Sequence, residues 1–153
     1  MPGLPTLIPG YSEVGGAPIN PNQPSLQPPV SRDLYRAVVA RDLLERRIAE
    51  VSAFDRLRAD NPSDAEAAAR IRSDILPRSR EILQIAQAVP LDDPIVRDIH
   101  RHAVTAAQAH VDALELLATA LEREDRARFD QAQSLLTTGN REWEIWAAAV
   151  QTL

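Results

Sequence analysis

The sequence predicts an all-α protein, an up-down-up-down four-helix bundle that follows an extended Pro/Gly-rich N-terminal arm. Residues 1–30 contain eight of the 12 prolines and four of the five glycines, whereas residues 31–153 are rich in the helix formers Ala, Leu, Arg and Glu. Apolar residues in the second range recur at steps of three, four and seven. Capping signals divide this range into four segments of about 28 residues with short linkers, so sequence neighbours are expected to pack antiparallel.

The first helix is predicted at residues 32–59. Ser31 is the expected N-cap, because its hydroxyl can accept a hydrogen bond from an unpaired amide of the first turn. The apolar residues of this segment form a stripe that is expected to face the core, with a second row beside it. The stripe consists of Leu34, Val38, Leu44, Ile48 and Val51, and the row beside it of Tyr35, Val39 and Leu43.

The second helix is predicted at residues 62–89. Asn61 is the expected N-cap with Pro62 at the first helical position, and Ser63 with Glu66 offers an overlapping capping box. Pro77 predicts a kink, yet the apolar stripe keeps its phase across it and favours one continuous helix. That stripe consists of Ala68, Ile71, Ile75, Ile82, Ile85 and Val89.

The third and fourth helices are predicted at residues 94–122 and 126–152, with Asp93 and Asp125 as N-caps. Gly139 lies on the stripe of the fourth helix, and the unchanged phase on both sides favours a continuous helix over a break. The two stripes consist of Val96, Ile99, Ala103, Ala106, His110, Ala113, Leu117 and Leu121, and of Phe129, Ala132, Leu136, Gly139, Trp143 and Val150.

Composition excludes several functions. The net charge of −5, with no block of five like charges, argues against nucleic acid as a partner. No run of 18 apolar residues and no secretion signal appears, which predicts no membrane insertion and a location in the cytoplasm or within an assembled particle. The absence of cysteine excludes disulfides and thiolate-metal sites.

The sequence offers no catalytic or metal-binding motif. A dimetal bundle needs Glu-x-x-His on two helices, but the residues three before the histidines are Arg97, Ile99 and Ala107. No two histidines lie three or four residues apart, and neither glycine-rich nucleotide loop is present. We therefore predict a non-enzymatic protein with no catalytic residues, no metal and no cofactor.

Three residues of the bundle remain candidates for binding. His110 lies on an apolar stripe, where it is a core histidine with a hydrogen-bond partner, a ligand contact or a pH-sensitive packing group. Trp143 is expected in the core, while Trp146 points to one side and is expected to be partly exposed, either at the rim of the bundle or against a partner. The alternative function is a small-molecule or haem-binding bundle that uses His110 and the Trp143 region.

The arm, residues 1–30, carries the leading prediction of function. It has a single charge, Glu13, and its prolines 18, 21 and 24 follow the three-residue period of a polyproline II helix. It either docks on another protein, wraps over its own bundle or acts as a flexible linker. We predict a structural or accessory subunit that docks through the arm onto protein partners in a virion or multi-subunit bacterial complex, and self-association of the bundle stays open. The expected contact residues are Leu4, Leu7, Ile8, Tyr11, Val14, Ile19 and Leu26, together with Trp146.

Overall fold

All regular secondary structure in the described part of the protein is helical. A computed structural model describes residues 28–153, and it contains helices and no strand in this range. The predicted all-α class is confirmed for these residues. The predicted contact residues of the arm, from Leu4 to Leu26, lie outside the described residues. None of the helices within residues 28–153 has the length and apolar character needed to cross a membrane.

Helix α1 covers residues 32–60. It consists of α-helical Arg32–Leu34, a π-helical turn at Tyr35–Val39 and α-helical Ala40–Asp60. Ser31 is the N-cap, as predicted, and its Oγ accepts from the Leu34 N–H at 3.2 Å.

The face that α1 turns inward differs from the prediction. The row predicted to lie beside the stripe is the buried one, and it continues through Glu50, Ala53 and Leu57. Leu44, Ile48 and Val51 of the predicted stripe are instead 47%, 56% and 37% exposed. The π turn inserts an extra residue and shifts the phase of the helix, and the burial of Glu50 fixes the inward face beyond it.

Helix α2 covers residues 64–88 and consists of Asp64–Arg70, a π-helical turn at Ile71–Ile75, and Leu76–Ala88. The prediction of Asn61 as N-cap with Pro62 at the first helical position is wrong. Asn61 instead ends α1 in the left-handed conformation, with φ 45°, which asparagine tolerates better than most residues. Ser63 is the N-cap of α2, and its Oγ accepts from the Glu66 N–H at 3.3 Å.

Pro77 lies within α2 without ending it, as the apolar phase predicts. The π turn ends two residues before it, and the N–H of Leu76 bonds to the carbonyl of Ile71. Ser73, whose carbonyl a proline at position 77 would otherwise crowd, belongs to this wider turn. The predicted stripe is buried from Ala68 to Ile85, and Val89 is half-buried just after the helix.

Helix α3 spans Pro94–Arg123 and helix α4 spans Arg126–Val150. Both predicted N-caps are confirmed. Asp93 Oδ1 accepts from the Ile95 N–H at 2.9 Å, and Asp125 Oδ1 accepts from the Arg128 N–H at 3.1 Å. Gly139 lies inside an unbroken α4, which confirms the predicted continuity.

The helices pack in the order of the chain. Helix α3 is the central element, with contacts to both α2 and α4, and α1 packs against α2. Two apolar clusters form the core. One surrounds Tyr35, Leu43, Ile82, Val96 and Trp143, and the other surrounds Leu57, Ile71, Ile75, Leu114 and Leu117.

The junction between the arm and α1 is held against the loop between α2 and α3. Val30 is 2% exposed, and its N–H donates to the carbonyl of Pro90 at 3.0 Å. Two residues on, the Arg32 guanidinium contacts the carboxylate of Asp93, with Nε and Oδ2 2.6 Å apart. Asp93 therefore both caps α3 and pairs with the first residue of α1.

This double role predicts different effects for two substitutions of Asp93. Asp93→Ala removes the cap and the ion pair, and we expect the melting temperature to fall by roughly 3–6 °C. Asp93→Asn keeps a side-chain oxygen for the cap and loses only an exposed ion pair, so we expect a clearly smaller fall. Thermal unfolding followed by circular dichroism compares the two, and equal losses for Asn and Ala would contradict the capping role.

Candidate functional site: a groove between α1 and α4

An open groove with a volume of about 780 Å³ runs between α1 and α4, and side chains of α3 form its floor. The two helices are joined at one end of their seam, where Trp146 donates to Tyr35 and Arg47 contacts Asn140. Beyond Arg47 the groove begins. Its apolar lining includes Val51, Phe54, Leu114, Leu117, Phe129 and Leu136.

A buried polar cluster lies at the inner end of the groove. Glu50 is 4% exposed and takes contacts from three side chains: Arg47 Nη1 at 2.5 Å, His110 Nδ1 at 3.4 Å and the Ser79 hydroxyl. The second amino group of Arg47 donates to Asn140 Oδ1 at 2.8 Å. The cluster thereby joins all four helices.

Glu50 is held in its charged form. Burial raises the pKa of Glu50, but the hydrogen bond with His110, the positive charge of Arg47 and the hydrogen bond from Ser79 together outweigh burial and lower the pKa below its usual value. A charged carboxylate accepts from every one of these partners. Its bond with Nδ1 fixes the orientation of the His110 ring.

The other ring nitrogen of His110 faces helix α4. Nε2 is buried and has no hydrogen-bond partner within residues 28–153. The ring packs on Gly139, where an added Cβ would overlap Cδ2 and lie 2.5 Å from Nε2. Gly139 is therefore required for close approach of α3 and α4, and Nε2 is enclosed by the backbone of α4.

The cluster does not have the geometry of a serine–histidine pair. The Ser79 hydroxyl donates to Glu50 and not to His110. Nε2 of His110, which has no hydrogen-bond partner within residues 28–153, points at Gly139 and away from Glu50. These residues fix the packing of helices and hold one charge.

A second buried chain of hydrogen bonds closes the seam between α1 and α4. The indole N–H of Trp146 donates to the Tyr35 hydroxyl at 2.9 Å, and that hydroxyl contacts His100 Nδ1 at 2.6 Å. His100 Nε2 contacts the carbonyl of Ala86 at 2.6 Å. Because a carbonyl only accepts, Nε2 carries the proton, and Tyr35 donates to a neutral ring at Nδ1.

The surroundings favour the neutral forms of Tyr35 and His100, the two titratable groups in this series of hydrogen bonds. Burial raises the pKa of Tyr35 to about 12, although the hydrogen bond from Trp146 lowers it. Burial also lowers the pKa of His100, and the bond to Ala86 opposes this only in part. The donor and the acceptor of each hydrogen bond in this series, from Trp146 to Ala86, are therefore determined.

The structure separates the residues that the sequence groups together. His110 lines the groove, whereas Trp143 is buried in the core beside Trp146, with ring centroids 5.3 Å apart, and is not part of the lining. The expected partial exposure of Trp146 is wrong. Trp146 is 3% exposed, because its N–H is used by Tyr35 in the core, and it offers a partner no surface within the described structure.

Sequence reasoning missed Glu50, Tyr35 and His100 as the centres of polar networks. For Glu50 one signal was present, since it lies seven residues from both Leu43 and Leu57, which are buried. A carboxylate at that spacing is predicted to be buried, and a buried carboxylate requires hydrogen-bond donors or positive charges around it. No comparable signal joins Tyr35 to His100, which lie 65 residues apart in the chain.

Within residues 28–153, no group of three or more histidine and acidic side chains is arranged to hold a metal ion. Comparisons with protein-family models, curated proteins and solved structures found no match to this chain. The site must therefore be interpreted from its own geometry.

The pKa of Tyr35 predicts how stability changes at high pH. A folded-state pKa of about 12, against 10 in the unfolded chain, means that stability is complete below pH 10 and is lost as the pH rises to 12. The expected loss is about 2–3 kcal/mol in the free energy of unfolding. Because the chain has no lysine or cysteine, the other side chain that titrates here is Tyr11.

Urea unfolding between pH 9 and 12 measures this loss. Tyr35→Phe is expected to flatten the profile, and Tyr11→Phe is the matched control that should retain it. A Tyr35→Phe profile as steep as that of the unmodified protein would show that Tyr35 is not buried in neutral form.

The contact between Gly139 and His110 predicts a coupled pair of substitutions. Gly139→Ala is expected to destabilise the protein by about 2 kcal/mol or more, because the new methyl group overlaps the imidazole. In a His110→Ala background the same change is expected to cost clearly less, since the imidazole is gone and the carbonyl of Ala106, 3.3 Å from the new Cβ, is the close contact that remains. Chemical unfolding of the four proteins gives the coupling, and additive effects would contradict the contact.

Proposed function

We propose that this protein is a non-enzymatic accessory subunit whose N-terminal arm docks onto a protein partner in a larger assembly, such as a virion or a multi-subunit bacterial complex. The observation that carries the proposal is the fixed junction at the base of the arm. Val30 is buried and bonded to Pro90, and Arg32 pairs with Asp93. An arm can hold the helical body in a defined position on a partner only when its own base is fixed to that body. Here the base contacts both the start of α1 and the residues that precede α3.

The composition of the arm suits this role. Its prolines restrict the unbound chain, so less conformational entropy is lost on binding. Its residues Leu4, Leu7, Ile8, Tyr11, Val14, Ile19 and Leu26 supply apolar contacts for a groove on another protein. In the extended polyproline form, 30 residues reach up to ~90 Å from the junction.

In this proposal the helical part is the body that the arm attaches to the partner. The linkers at residues 61–63, 89–93 and 124–125 are short, which favours antiparallel neighbours and an up-down-up-down bundle. The buried polar groups support a structural role, because Glu50 accepts from Arg47 and Ser79, while Tyr35, His100 and the carbonyl of Ala86 bond to one another inside the core. Burial of such networks specifies a unique packing.

A small-molecule site is the second candidate function, and the size of the groove favours it. A volume of about 780 Å³ lies within the range of ligand pockets. His110 and its neighbours Arg47 and Glu50 would supply the polar contacts. Ligation of a haem iron by His110 Nε2 is disfavoured, because Gly139 of α4 occupies the approach to that atom. The tether is therefore the better-supported function.

Substitutions in the arm test the proposal while leaving the body unchanged. A triple variant, Leu7→Ser, Ile8→Ser and Tyr11→Ser, removes three large apolar contacts and is expected to weaken partner binding by more than about tenfold. Ile95→Ser, at an exposed apolar position on α3, is the matched control and should bind normally.

The measurement uses the full chain isolated from its native source and a partner recovered in fixed ratio. Rebinding of each variant to that partner is then followed by calorimetry, with a peptide of residues 1–30 as competitor. Undiminished binding of the triple variant would refute the tether.

A further inference from the structure

We infer that, before any partner binds, residues 4–11 of the arm lie in the groove between α1 and α4 of the same chain. This goes beyond the proposed function, because it concerns the isolated protein and assigns the occupant of its own groove. A partner that takes up the arm must first displace it from this position.

The groove has apolar side chains that the helical body leaves uncovered, between polar lining residues such as Asp55, Arg58 and Thr137. Val51 on the α1 side is 37% exposed, and Phe54, Phe129 and Leu136 are only half-buried. Ile48, which adjoins Val51 on the outer face of α1, is 56% exposed. Contiguous apolar surface of this kind marks a place where another segment binds.

The position of the junction and the length of the arm allow the same chain to fill the groove. Val30 lies beside the start of α1, and Val51 lies 19 residues further along, or about 28 Å at 1.5 Å per residue. About ten extended residues cover that distance, and 27 residues reach ~84 Å. The groove follows α1 from Arg47 to Asn61, about 21 Å. In extended form residues 4–11 match the length of the groove, and residues 12–27 are long enough to cover the distance from the junction.

The chemistry of the arm matches the lining. Among residues 1–27 the single charged side chain is Glu13, which lies outside residues 4–11, so no charged side chain of the arm is desolvated in the groove. Pro5 and Pro9 have no N–H, which reduces the backbone donors that the apolar part of the groove would leave unpaired.

Polar side chains at the edge of the groove can meet the remaining backbone groups of the arm. Gln133 and Arg58 line the groove, and their side chains make no hydrogen bond or ion pair within residues 28–153. Binding within one chain is further favoured over binding between chains, because a short tether gives an effective concentration on the order of millimolar.

Engineered cysteine pairs test this position, since the chain has no cysteine of its own. Ser12→Cys is combined with Thr137→Cys, which lines the groove, or with Asp98→Cys, an exposed residue of α3 outside the lining. Asp98 is five residues from Asp93, which contacts the base of the arm, so a freely moving arm reaches it readily. Disulfide formation in a glutathione buffer, measured by peptide mass spectrometry, gives the effective concentration of each pair.

We expect the effective concentration of the groove pair to exceed that of the Asp98 pair by about tenfold or more, with the disulfide formed within one chain. Val51→Asp, which places a charge in the groove at an exposed position, should abolish this difference, and Ile95→Asp should preserve it. Melting curves verify that both variants fold.

Equal effective concentrations, disulfides mainly between chains, or no effect of Val51→Asp would each overturn the inference. The two cysteine pairs can give equal effective concentrations while the triple arm variant still fails to bind its partner. That combination would refute the docking in the groove and would support the proposal that the arm binds a partner. The two proposals therefore fail separately.

Discussion

The burial of Glu50 is the constraint on which the arrangement of α1 depends. A carboxylate with 4% exposure is tolerated only where several donors meet it, and here Arg47, Ser79 and His110 do so from three helices. Turning Glu50 inward turns Leu44, Ile48 and Val51 outward. The exposed apolar row on α1 and the open groove beside α4 thus go with the orientation that buries Glu50 together with Leu43, Ala53 and Leu57.

The same constraint divides the seam between α1 and α4 into a closed and an open part. The closed part ends at Arg47, which contacts both Glu50 and Asn140, and Trp146, Tyr35 and His100 hold the other end. Close packing of α4 on α3 requires Gly139, because the ring of His110 occupies the space of a side chain there. The helical body is therefore closely packed where the arm leaves it and uncovered on the surface that we assign to the arm.

Local signals in the sequence predicted the helices well, and long-range polar contacts account for what they missed. Ser31, Asp93 and Asp125 cap their helices through bonds within three residues, so sequence alone identifies them. Asn61 was misassigned, because an asparagine before proline can either start one helix or end another. The inward face of α1 and the burial of Trp146 depend on partners dozens of residues away, and apolar spacing carries no information about them.

A double-mutant cycle decides whether Glu50 is a charged group held inside the core by its donors. Glu50→Ala, Ser79→Ala and the double variant are compared by the free energy of unfolding at neutral pH. We expect a coupling energy of about 1 kcal/mol or more, as for a buried hydrogen bond to a charged group. A coupling energy of zero would show that Ser79 does not donate to a charged Glu50 inside the core, and would contradict the packing of Glu50 against α2 on which the orientation of α1 depends.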